Sequence, residues 1–228
     1  MPAKKKKVTQ NNKKTYVAMV VDKSGSMNSL YNNALGAIKE QLDTHRKYGE
    51  QGGDTRVTLI QFDTDVKVYY DKVPSFAIDD FTAEDYRPAG GTAMFDAIGK
   101  AIEALTTGVK ETDDTAYLVC VISDGEENSS HKWNSVTLQN RIKQLEATGR
   151  WTFVYMLSNV DIKEYANKLG ISTNNVRGFT FTPDGFSNAS LTLNESSNAY
   201  YANRSVGLRS TANFYTDTVT TTDDDESK

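Results

Sequence analysis

Three stretches of this chain are apolar or nearly so: Tyr16-Val17-Ala18-Met19-Val20-Val21, Tyr117-Leu118-Val119-Cys120-Val121-Ile122 and, broken only by Thr152, Trp151-Thr152-Phe153-Val154-Tyr155-Met156-Leu157. Runs of six or seven residues, rich in β-branched and aromatic side chains, are too short for helices and too uniform for strands with one wet face. They read as strands buried on both sides, which is the signature of a parallel sheet covered by helices. The segments between them have helical periodicity. Leu30, Ala34, Leu35, Ile38 and Leu42 share one face, with Asn28 or Ser29 expected to cap that helix. Phe95, Ile98, Ala101, Ile102 and Leu105 share another, and Val136, Leu138, Ile142 and Leu145 a third. Gly49 to Gly53, Gly149 and Gly170 punctuate the pattern.

The remaining segments complete an α/β reading. Val57–Phe62 and Val66–Tyr70 predict a hairpin turning at Asp63-Thr64-Asp65. Phe179-Thr180-Phe181 predicts an edge strand, Ile162 to Leu169 a short helix, and Phe186 to about Val206 a longer helix of weaker periodicity. Strands alternating with helices imply right-handed crossovers and a doubly wound, mostly parallel sheet, with one antiparallel strand at the hairpin edge and helices on both faces. In such a sheet ligands bind beyond the carboxyl ends of the strands, near the point where strand order reverses.

Two polar clusters fall at such strand ends. Asp22-Lys23-Ser24-Gly25-Ser26 leaves the first strand, and Ser123-Asp124-Gly125 leaves the second run. Gly90-Gly91-Thr92 precedes the Phe95 helix. Carboxylates and hydroxyls are hard oxygen donors, suited to a small cation such as Mg²⁺, which keeps several waters and takes few charged protein ligands.

Asp-x-Ser-x-Ser, a distant Thr after glycines and a distant Asp-Gly resemble the metal-ion-dependent adhesion site of von Willebrand factor type A domains, at Asp22, Ser24, Ser26, Thr92 and Asp124. The resemblance runs from about Thr15 to about Leu208. It takes in Phe62-Asp63, Phe95-Asp96-Ala97-Ile98, Asp124-Gly125-Glu126-Glu127-Asn128 and Leu169-Gly170-Ile171. It is nearest to the small stand-alone A-domain proteins of bacteria and their phages. It implies a Rossmann-like fold and a Mg²⁺ site, with Mn²⁺ suited to the same donors. It also implies a protein partner that presents Asp or Glu to the metal.

The neighbours of the five positions read as structural. Lys23 is expected to face solvent. Asp63 and Asp65 suit a hairpin turn. Asp96 suits the first turn of a helix, where the helix dipole favours an acid. Glu126 and Glu127 either surround the metal with negative potential or occupy a solvated loop. The two histidines, His45 and His131, are expected at the surface. There is no Gly-x-Ser-x-Gly turn, no phosphate-binding Gly-Lys-Ser/Thr loop and no Gly-x-Gly-x-x-Gly. Catalysis is therefore disfavoured. The alternative of a Mg²⁺-dependent hydrolase or phosphatase would rest on the same cluster.

At 228 residues, 38% apolar and 25% charged, the chain can bury a cooperative core as one domain. No run approaches the ~20 apolar residues of a membrane span. Cys120 is the single cysteine and sits in a strand, so it reads as a buried hydrophobe. With no apolar segment after Lys4–Lys7, a cytoplasmic setting is expected. The net charge of -4 is segregated: lysines crowd residues 1–14, and Asp223-Asp224-Asp225-Glu226 crowd the end. Residues 1–14 are expected as a disordered basic tail, 15–208 as the domain and 209–228 as an acidic polar tail. A nucleic-acid role for the lysine arm is the weaker alternative, since it has no interleaved aromatics.

Overall fold

The structure is a computed structural model that describes residues 13–125, 127–158 and 161–216. One six-stranded sheet organises it, in the order β3-β2-β1-β4-β5-β6. The strands are β1 (Lys14–Asp22), β2 (Asp54–Phe62), β3 (Val66–Pro74), β4 (Thr115–Ser123), β5 (Trp151–Ser158) and β6 (Val176–Phe179). All neighbours pair in parallel except β2 and β3, the expected hairpin. The central strand β1 is flanked by β2 and β4, so the winding direction reverses between β1 and β4. Asp22 and Asp124 both lie at that switch point, where the peptide planes of two diverging connections leave a crevice.

The helices are α1 (Tyr31–Glu50), α2 (Met94–Thr106), α3 (Ser135–Glu146), α4 (Ile162–Leu169) and α5 (Pro183–Ser205). Strand alternation divides the core in two. Tyr16, Ala18 and Val20 of β1 face the layer made by α2, α3 and α4. Val17, Met19 and Val21 face α1 and α5. From Thr15 to Asp22 every residue of β1 is buried, which explains why this strand shows no polar alternation.

Local chemistry sets several boundaries. Asn134 and Thr137 form a reciprocal capping box at α3, and Asp161 caps α4, which ends on Gly170 at φ +69°. Thr182 caps α5, with Pro183 at its first position. The expected cap of α1 is different. A 3₁₀ turn, Gly25–Leu30, precedes the helix, and Asn28 and Ser29 fold back onto the backbone oxygens of Gly25 and Ser26 instead. These side chains tie the segment after β1 to itself. The last strand ends earlier than the sequence suggests, at Phe179.

The domain extends past Leu208. Phe214 is buried against Tyr200, and its N–H donates to Asn175 Oδ1 at 2.9 Å. Thr211 N–H reaches Thr152 Oγ1 at 3.0 Å, and Tyr215 donates its hydroxyl to Tyr155 O at 3.2 Å. Residues 211–216 thus belong to the packed body, because two aromatics supply apolar area that the surrounding polar residues conceal in a sequence reading. The lysine arm at Lys4–Lys7 and the acids at Asp223–Glu226 lie outside the described residues.

Candidate metal centre

Asp22 ends β1 and is fully buried. Its Oδ1 accepts the Ser24 N–H at 2.6 Å, an Asx turn that bends the chain out of the sheet, and its Oδ2 accepts the Ser123 hydroxyl. Its own carbonyl accepts the Tyr86 hydroxyl at 2.7 Å. The turn carries Ser24 and Ser26 to one side, their Oγ atoms 3.1 Å apart. Ser26 Oγ then donates to Asp124 Oδ1 at 2.9 Å, closing a chain of oxygens across the switch point. Asp124 Oδ2 is buried and has no hydrogen-bond partner among the described residues.

Thr92 approaches from the third side. Gly25 N–H donates to Gly90 O at 3.1 Å, and Ala89 N–H to Lys23 O at 2.8 Å, so the Gly90-Gly91-Thr92 loop is stitched to the Asp22 loop. Gly90 adopts φ +73°, a conformation that favours glycine. Gly91 is required for a different reason: a Cβ there would stand 2.3 Å from Ser129 Oγ. That space admits the loop after Asp124. Thr92 N–H donates to Asn128 Oδ1 at 2.9 Å, and Thr92 O accepts the N–H groups of Asn128 and Ser129. The Thr92 Oγ1 atom lies 3.5 Å from the Cβ position of Gly125, next to Asp124. All five sequence-predicted residues converge on one crevice, with Ser26 exposed at its mouth and the other four buried.

The electrostatics leave the pair of acids short of positive charge. Burial holds the Asp22 carboxyl above the usual carboxylate range, although hydrogen bonds from Ser123 and Ser24 offset part of that. Burial, and then the nearby Asp22 charge, push Asp124 up to about 6. Two acids converging in a buried crevice, one oxygen unpaired, three hydroxyls around them: this donor set fits a small divalent cation. Among the described residues no three His, Cys, Asp or Glu side chains group to hold a metal ion, so this cluster relies on two carboxylates and hydroxyls.

The surrounding residues support this cradle. Asp63 accepts from Lys23, which is largely covered and not solvent-facing as its sequence position suggested, and Asp63 Oδ1 takes the Asp65 N–H in the hairpin turn. Asp96 accepts the N–H groups of His131, Lys132 and Trp133, so it anchors the loop between β4 and α3. Glu127 faces the start of α2: its Oε2 takes the Phe95 N–H at 2.8 Å, and its Oε1 takes Ser129 and Ser130 N–H. It is neither a solvated residue nor a wall of the crevice. Glu126 lies outside the described residues. Ser123, Tyr86, Asn128 and Ser129 were not legible as site residues. Ser123 had a visible signal, its place directly before Asp124, and Asn128 lay within the Asp124-Gly125-Glu126-Glu127-Asn128 stretch of the resemblance.

His45 is not a surface residue. It is buried between α1 and α5, with Nδ1 2.7 Å from the Tyr201 hydroxyl. Burial pushes its pKa down to about 4. His131 is exposed, on the loop that Asp96 anchors.

An open, doubly wound, mostly parallel sheet with a cluster of oxygen donors at its switch point defines a class of Rossmann-like α/β domains. The chain belongs to the von Willebrand factor type A domain family, whose model matches residues 17–195. Domains of this family are mostly interaction modules. Among solved structures it is similar to proximal thread matrix protein 1 from the mussel byssus, with TM-score 0.56 and 17% identity over 79% of this chain and 46% of that one. A further structure of that protein has a zinc-occupied MIDAS motif. The chain is also similar to the SpRpn10 VWA domain, with TM-score 0.53 and 13% identity over 77% of this chain and 93% of that domain. The pilus adhesin SpaC from Lactobacillus rhamnosus GG gives TM-score 0.58 and 14% identity over 84% of this chain and 31% of that one. At these identities the likeness is one of fold. The chain spans about half the length of the thread matrix protein and a third of the adhesin. No curated protein matches the sequence.

Proposed function

We propose that this chain is a divalent-cation-dependent protein-binding module whose metal is held by Asp22, Ser24, Ser26, Thr92 and Asp124. The observation that carries this reading is the buried, unpaired Asp124 Oδ2 within a continuous oxygen network at the switch point. When bound, the cation supplies an electrophilic coordination position that an outside carboxylate can fill. The protein residues do the rest. Asp22 and Asp124 balance the charge. Ser24, Ser26 and Thr92 offer neutral oxygens that leave the cation electron-poor. Ser123, Tyr86 and Asn128 fix the loops, so that little ordering cost falls on binding. Only two anionic ligands make a modest site by themselves, which suits a site completed by a partner's Asp or Glu.

The all-oxygen donor set favours Mg²⁺ or Mn²⁺ over Zn²⁺, whose usual protein sites include nitrogen or sulfur ligands. The zinc in the thread matrix protein site makes the choice of ion an experimental question. Calorimetric titration of each ion into the wild type and into Asp22→Ala/Asp124→Ala tests the assignment. Equal uptake by both proteins would remove it. For the hydrolase alternative, metal-dependent turnover of p-nitrophenyl phosphate is the discriminating assay. Binding is favoured over that alternative because Ser24, and not a second acid, stands two residues after Asp22.

A further inference from the structure

We infer that Glu127 is a positioning residue of the metal site, and that it couples the Thr92 and Asp124 sides of the crevice through the first turn of α2. This rests on the metal-site reading above and assigns a residue that sets the cation affinity of that site without touching the cation.

The starting point is the set of orphan donors at the start of α2. A helix leaves its first N–H groups without acceptors of its own. At α2 the capping position is Ala93, whose side chain can accept nothing. The acceptors come from the loop after β4. Glu127 Oε2 takes the Phe95 N–H at 2.8 Å, and Ser130 Oγ takes the Asp96 N–H at 3.0 Å. Glu127 also gathers its own loop. Its Oε1 accepts the N–H groups of Ser129 at 2.9 Å and Ser130 at 2.7 Å, and its Oε2 accepts the Ser130 hydroxyl at 2.7 Å. One carboxylate therefore bridges the start of α2 and the loop that follows Asp124. Its negative charge suits the positive end of the helix.

Thr92 hangs between the two bridged bodies. Ala93 alone separates it from Met94, the first residue of α2. Its N–H donates to Asn128 Oδ1 at 2.9 Å, and its carbonyl accepts the N–H groups of Asn128 at 3.1 Å and Ser129 at 3.2 Å. Thr92 thus reaches the crevice from the α2 side and Asp124 from the β4 side, and the Glu127 bridge sets how these two donors face each other. A carboxylate offers about four lone-pair sites and no donor. Glu127 accepts one hydrogen bond at each of them. Glutamine would turn an NH₂ group either to the Phe95 N–H or to the N–H groups of Ser129 and Ser130, so the bridge would hold on one side only. The same saturation excludes Glu127 as a metal ligand: both of its oxygens are filled, whereas Asp124 Oδ2 is bare among the described residues.

Coupling of this kind is reciprocal. If the closed bridge favours metal binding by some factor, bound metal makes opening of the bridge rarer by the same factor. Residues that orient metal ligands commonly change affinity by about tenfold or more. Calorimetric titration should therefore show Mg²⁺ bound about tenfold more weakly by Glu127→Gln than by wild type. Phe214→Ala, which loses packing beside Asn175 and Tyr200, should keep the wild-type affinity. In the wild type, saturating Mg²⁺ should slow hydrogen exchange of the Phe95 and Asp96 amides by about tenfold, read by NMR. The Gly185 amide, held in the first turn of α5 by Thr182, should not respond. Equal Mg²⁺ affinity in Glu127→Gln and wild type would overturn the inference and leave the metal site standing, as would equal losses in Glu127→Gln and Phe214→Ala. If Glu127→Gln does not fold, the exchange measurement decides: Phe95 and Asp96 amides that respond to Mg²⁺ no more than Gly185 would overturn the inference. No Mg²⁺ uptake by the wild type would remove the metal site and this inference with it.

Discussion

Asp124→Asn should make the metal-free protein more stable while removing its response to metal. In EDTA at neutral pH, Asp124 is held ionised in a buried crevice beside Asp22, with Oδ2 unpaired. Raising a carboxyl from 3.8 to about 6 corresponds to about 3 kcal/mol of unfavourable ionisation. The crevice is open on one side, so screening by solvent reduces this to about 1.5 kcal/mol. Asparagine keeps an oxygen for the Ser26 hydroxyl, 2.9 Å away in the wild type, and removes the charge. For a domain of this size about 1.5 kcal/mol is a rise in Tm of roughly 3–6 °C. Saturating metal should reverse the order: the wild type gains about 2.7 kcal/mol at a hundredfold excess over Kd, and the variant gains little. Differential scanning calorimetry of both proteins, in EDTA and in Mg²⁺, gives the four values needed. A variant less stable than wild type in EDTA, or equally stabilised by Mg²⁺, would refute the reasoning.

Three further outcomes follow from named contacts. His45→Gln should flatten the acid side of the stability profile. A histidine with its folded pKa near 4 costs the wild type roughly 3 kcal/mol as pH falls from 6.5 to 4, because the unfolded chain binds the proton first, and urea midpoints of wild type and variant at the two pH values read the difference. Phe214→Ala should lower stability by about 3–5 kcal/mol, and urea unfolding that leaves it unchanged would return residues 209–216 to the status of a tail. Gly91→Ala should weaken Mg²⁺ binding more than it lowers Tm, since its Cβ would displace Ser129 and Asn128 from Thr92, and calorimetric titration beside a melting curve separates the two effects.

The fold was legible because the strands are unambiguous. Two-sided burial at β1, β4 and β5 leaves a run of apolar residues that no amphipathic element imitates. The five candidate positions were picked out through the family pattern, and they lie close together because each stands at a strand end or in a loop ahead of a helix. What stayed hidden depends on tertiary contacts. His45 follows a polar helix stretch, yet α5 brings Tyr201 to it from 156 residues away. The α1–α5 seam also buries Gln41 against Ser197, at 2.9 Å. A seam lined with buried polar side chains such as Gln41, His45, Ser196 and Ser197 has no apolar periodicity, which is why α5 gave a weak helical signal. Phe214 was hidden for the opposite reason: two aromatics among Thr and Asn do not form a pattern.

The positions around the site show how a stable sheet carries an unstable crevice. Thr92 sits on no regular element, and its placement comes from three loops held to one another by Gly90, Ala89, Asn128 and Ser129. Asp96 and Glu127 each gather three backbone N–H groups, and both serve the α2 N-terminus and the loop after β4. Their acids are saturated by nearby donors, whereas Asp124, just before Glu127 in the chain, keeps one oxygen bare among the described residues. A buried carboxylate left in that state lowers the stability of the domain unless something positive arrives. The contrast between satisfied and unsatisfied acids a few residues apart distinguishes scaffold from site here, and it makes the stability of Asp124→Asn in EDTA the measurement on which the metal-site reading turns.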